Sequence, residues 1–86
     1  MKRKKNLTLI FNSIEEEHLG KDVFFLSGTG KISLKREGED SSIVTCLGEG
    51  SKVYSTMRLQ NDWIVFMEDG SYVFNLKTHQ DRKSVV

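Results

Sequence analysis

Short apolar runs separated by turn residues recur along the whole chain, and most of them predict strands. Asn6–Phe11 is short and rich in β-branched and aromatic residues, which is strand composition. Asn12–Gly20 reads differently. Ser13 stands three places before Glu16, the spacing of a capping box, and Glu15, Glu16 and Glu17 suit the positive end of a helix dipole. With Gly20 as a left-handed stop, the segment predicts one helix of about two turns, packed through Ile14 and Leu19.

Everything after Gly20 reads as a meander. Asp22–Leu26 is a strand and Ser27–Gly30 a glycine turn. Lys31–Arg36 alternates apolar and polar residues, the pattern of a half-buried strand. Glu37–Asp40 is a polar loop, Ser42–Leu47 a fourth strand, and Gly48–Gly50 ends it. Lys52–Leu59 sets Val53, Ser55, Met57 and Leu59 on one face, with Tyr54, Thr56 and Arg58 on the other. Trp63–Met67 and Ser71–Leu76 flank Asp69-Gly70, a hairpin signal because these residues tolerate positive φ. Thr78 onward is polar and reads as a loose tail. The expected fold is mainly β: a single domain over residues 1–86, an antiparallel meander of six to seven strands curled into a small barrel or sandwich, with one short helix near the N-terminus. Leu7–Phe11, Val23–Leu26 and Trp63–Met67 are apolar on both faces. An antiparallel sheet normally keeps one polar face, so this surplus hints at a partner surface.

Charge sharpens that picture. Residues 6–76 hold 6 basic and 11 acidic side chains, whereas both ends, about 1–5 and 77–86, are basic. Binding to phosphate needs positive charge on the binding face itself. The single cysteine, Cys46, cannot form an internal disulfide. Leu7–Phe11 is too short for a secretory signal, and no run is long enough to span a membrane as a helix. These features predict a cytoplasmic protein with no membrane partner, and the initiator methionine suggests a complete gene product.

Motifs for catalysis fail on inspection. Gly28-Thr29-Gly30-Lys31 resembles the end of a phosphate loop, but Phe25 and Ile32 stand where glycine and Ser/Thr belong. Gly48-Glu49-Gly50 has Val53 in place of the third glycine of a dinucleotide fingerprint. Cys46, His18 and His79 have no metal-site spacing, and the Glu15–His18 pair lacks the four long helices that its iron-site counterpart requires. Cys46, between strand residues, reads as a small buried hydrophobe. Neither a catalytic residue nor a cofactor or metal ion is expected.

The leading expectation is therefore a non-enzymatic protein-binding or regulatory module, of the type of small phage or mobile-element inhibitors. Its contacts would come from Tyr54, Trp63, Phe66 and Tyr72, rimmed by Glu37, Asp40, Glu68 and Asp69, with the partner protein unidentified. The alternative is a small barrel that binds single-stranded nucleic acid through Lys2, Arg3, Lys4, Lys5, Lys31, Lys35 and Arg36 while the aromatics stack on bases. Trp63 and Phe66 fall on opposite faces of their strand, so at least one is core. An edge-strand homodimer is a third reading, and Ser84-Val85-Val86 matches a carboxyl-terminal recognition motif.

Overall fold

In the computed structural model the described residues are 12–84. The expected strand Asn6–Phe11, the basic arm Lys2–Lys5 and Val85-Val86 lie outside them. Eight strands run in chain order: β1 (Ser13–Leu19), β2 (Asp22–Ser27), β3 (Lys31–Lys35), β4 (Ser42–Cys46), β5 (Val53–Leu59), β6 (Asp62–Met67), β7 (Gly70–Asn75) and β8 (Asp81–Lys83). They form two antiparallel four-stranded sheets, each a plain meander, β1-β2-β3-β4 and β5-β6-β7-β8. The mainly β class is as expected. The sheets do not join edge to edge into a closed barrel.

Among the described residues there is no helix, and the segment expected to be one is β1. The capping-box spacing of Ser13 and Glu16 is a local signal worth about 1 kcal/mol. Pairing along the apolar strand β2 runs the length of β1, with Glu16 opposite Phe25 and Glu17 opposite Phe24, and it outweighs that signal. Gly20 keeps the left-handed backbone anticipated for a helix stop, at φ 63°. It uses that conformation to open the two-residue turn between Leu19 and Asp22, where glycine is favoured because it has no Cβ to clash.

Three further expectations are corrected. The tail after Thr78 is not loose throughout: Asp81–Lys83 pairs with β7, and His79 stacks on Phe74 at 6.4 Å and meets Phe24 edge-on at 5.5 Å. Cys46 is exposed rather than buried, because a bulge opposite Ile32/Ser33 shifts the alternation of β4 and Leu47 takes the core position. On β5, a bulge between Val53 and Ser55 moves Val53 to the core side while Ser55, Met57 and Leu59 stay on the other.

One core draws on both sheets: Phe24, Leu26, Ile32, Leu34 and Leu47 from the first part of the chain, and Val53, Trp63, Val65, Met67, Tyr72, Phe74 and Leu76 from the second. Phe24 meets Phe74 edge to face at 5.7 Å, an arrangement favoured by the ring quadrupoles. At the sheet margins, Arg58 on β5 donates to Glu17 (2.7 Å) and to the His18 carbonyl (3.0 Å) on β1. Thr45 on β4 donates to Asp81 on β8 (2.8 Å). The second sheet thus lies over the first in the same strand order.

The two meanders repeat one another. The pairs Ser13–Ser27 and Glu15–Leu26, with the bulge between them, recur as Val53–Met67 and Ser55–Phe66, an offset of 40 residues. Phe24–Leu34 recurs as Ile64–Val73, the second turn being one residue shorter. The turn at Gly20 recurs at Gln60, which adopts φ 56°. The faces that meet are nevertheless unlike. Phe24, Leu26 and Leu34 pack between the sheets, but their counterparts Ile64, Phe66 and Val73 are on the far side of the second sheet, the first two half-buried and Val73 buried.

Candidate interaction surface

The far side of the second sheet presents apolar side chains that the other sheet does not cover. Residues directly opposite on paired strands share a face. Three rows result: Ser55–Phe66–Ser71, Met57–Ile64–Val73–Arg82 and Leu59–Asp62–Asn75. Met57 is 49% and Leu59 58% exposed, and Ile64 and Phe66 are half-buried. β5 forms the margin of this face. It is an edge strand of seven residues, and Tyr54, unpaired in its bulge, is 65% exposed.

Of the aromatics singled out from the sequence, Tyr54 and Phe66 reach this surface. Trp63 and Tyr72 do not: Trp63 is fully buried and Tyr72 nearly so, both in the core. The separation of Trp63 and Phe66 onto opposite faces follows the alternation. A four-ring stacking platform is therefore not assembled. The indole Nε1 of Trp63 is buried without a hydrogen-bond partner.

The four acidic turn residues fall at opposite ends of the molecule. Glu37 sits 3.4 Å from Lys21 beside the β1–β2 turn, and Asp40 is exposed in the same β3–β4 loop. Glu68 and Asp69 occupy the β6–β7 turn, where they serve the fold. Glu68 accepts the Lys52 amide (3.2 Å), and Asp69 accepts both the Ser51 hydroxyl (2.8 Å) and the Tyr72 hydroxyl (2.7 Å). These bonds clip the linker between the sheets to the turn. The Tyr72 bond first, then the Ser51 bond, hold the Asp69 carboxyl below its usual range, and the same bond to Asp69 raises Tyr72.

The basic residues are dispersed as well. Lys31 is exposed beside an open groove of about 440 Å³ formed by Asn12, Ile14 and the Ser27–Thr29 turn. Lys35 donates to the carbonyls of Arg36 and Glu39, and Arg36 lies 3.5 Å from Asp22. Among the described residues, no three His, Cys, Asp or Glu side chains converge as a metal site. No helix among them is long and apolar enough to cross a membrane.

Sequence reasoning missed Met57, Leu59 and Ile64 as a surface. The double apolarity of Trp63–Met67 was the available signal, but which side faced water depended on the partner sheet. Comparison with known protein families, with curated proteins and with solved structures finds no match.

Proposed function

We propose that this chain is a protein-binding module of regulatory type, a sandwich-like pair of sheets that acts by contact and takes up an extended segment of its partner along β5. The observation that carries this reading is the undefended edge. Natural sheets guard their edges with charge, brevity or bulges, because exposed N–H and C=O groups template further pairing. β1 carries three consecutive glutamates, β8 has only three residues, all charged, and β4 is interrupted by a bulge. β5 is seven residues long, bulged only at its start, and Arg58, its one charge, is engaged by Glu17 on the other sheet. Strand addition there would draw affinity from main-chain bonds and selectivity from side chains flanking Tyr54, Met57 and Leu59.

The test is capture of a partner from nuclease-treated lysate, followed by hydrogen exchange on the complex. The expected result is retention of the partner, with slower exchange across residues 53–59. Capture that disappears with nuclease would favour the nucleic-acid alternative. Protection confined to other strands would remove the edge from the mechanism.

A further inference from the structure

The internal repeat says what the open face of the second sheet is built to hold. On the first sheet, Leu19, Phe24, Leu26 and Leu34 pack against the other sheet. Their counterparts at the 40-residue offset, one less on β7, are Leu59, Ile64, Phe66 and Val73, all apolar and all on the outer side of the second sheet. Met57 stands there in place of Glu17. A face that already packs against a sheet inside this molecule is therefore present a second time with no sheet upon it.

Two modes of self-association could cover it. Repeating the internal stacking would place the outer side of another copy's first sheet there, a head-to-tail contact that does not close on itself. That side is covered over β2 and β3, where Phe25, Ser27 and Ser33 point away from the core and are 4%, 5% and 2% exposed, while Ile43 at its β4 margin stands open at 60%. The open face finds a broader apolar match in its own copy than in that margin. We infer that a second copy of this chain docks on the outer face of β5–β8 about a twofold axis, face to face.

The area is sufficient for a weak, concentration-dependent dimer. Three strands of about six residues and the three-residue β8, about 4.8 Å apart with about 3.3 Å per residue, give a footprint of roughly 330 Å². With side-chain relief this is about 500 Å² of accessible surface per copy and ~1,000 Å² in the pair, the size of a weak, transient contact. The face carries one acid, Asp62, and one base, Arg82, so two copies meet without net repulsion. This contact covers Met57 and Leu59, which the proposed strand addition also uses, but leaves the main-chain edge of β5 free, and it is tested on the isolated chain with no partner present.

Sedimentation equilibrium of the full chain from micromolar to millimolar concentration tests it. The mass should rise from 9.9 kDa towards twice that value. Ile64→Lys, or the milder Phe66→Ser, should hold the mass at the monomer value with an unchanged far-ultraviolet spectrum. Dilution of the unaltered protein should also shift the amide resonances of Ile64, Phe66 and Val73, a readout that requires no variant. A monomer throughout, with resonances independent of concentration, would overturn the inference. So would a ladder of species beyond the dimer, or a dimer that survives in a folded variant.

Discussion

Replacing Trp63 by phenylalanine tests how the core tolerates an orphaned donor. The indole is fully buried, and its Nε1–H finds no acceptor. A buried donor without a partner costs about 1–3 kcal/mol, which Trp63→Phe would return. Against this, the smaller ring removes roughly 40 Å³, and at about 24 cal/mol per Å³ the residual cavity costs ~1 kcal/mol. The lost apolar contact adds about another 1 kcal/mol. The opposing terms cancel to within about 1 kcal/mol of zero, whereas Trp63→Ala should cost about 3–5 kcal/mol. Because Trp63 is the only tryptophan, unfolding must be followed by circular dichroism rather than by its fluorescence. A chain of this size shifts its midpoint by roughly 4–8 °C per kcal/mol, so Trp63→Phe should melt within about 8 °C of the parent. A loss well above 2 kcal/mol would refute the reasoning, since it would mean the indole N–H is satisfied. An Nε1–H resonance at the position of a hydrogen-bonded indole would refute it too.

Two other predictions concern the joints between the sheets. Gly30 is buried at φ 92°, and a Cβ there would collide with the Leu47 carbonyl and stand 2.7 Å from the Met67 methyl, so Gly30→Ala should cost about 3 kcal/mol or more by denaturant titration. Parent-like stability would mean that this turn can shift away from the linker. Asp69 has a folded-state pKa below its unfolded one, so its contribution is full above about pH 4, the unfolded carboxylate value, and is lost as the pH falls through the folded-state value. Tyr72 runs the other way: its raised pKa gives a contribution full below about pH 10 and lost as the pH rises through the folded-state value. Asp69→Asn should flatten the acid limb of a stability-against-pH curve and reduce the alkaline one. A variant whose curve superimposes on the parent's would show that the clip to Ser51 and Tyr72 carries no linkage.

The strands from Asp22 onward were legible because their cues are local. Alternation, paired apolar runs and turn residues such as Asp69-Gly70 act within a few positions, and β2, β3, β6 and β7 lie close to where those cues put them. The first strand was misread because the Ser13–Glu16 cue is equally local, while the β2 pairing that overrides it forms only across a hairpin. Two of the expected contact rings, Trp63 and Tyr72, lie in the core, and Glu68 and Asp69 also serve the fold, for a related reason. Trp63 and Tyr72 carry no mark telling a core ring from a surface ring, and Asp69 none telling a binding acid from a structural clip.

Strand content and turn positions were thus written in the order of residues along the chain, since the forces that set them reach only a turn or so. Which face of each sheet is dry was decided by the stacking of one meander on the other. Trp63 points into the core and its neighbour Ile64 out of it because unlike faces of a repeated unit meet. Side chains on a strand alternate whatever lies above them, so only the arrival of the second sheet could choose between the two sides.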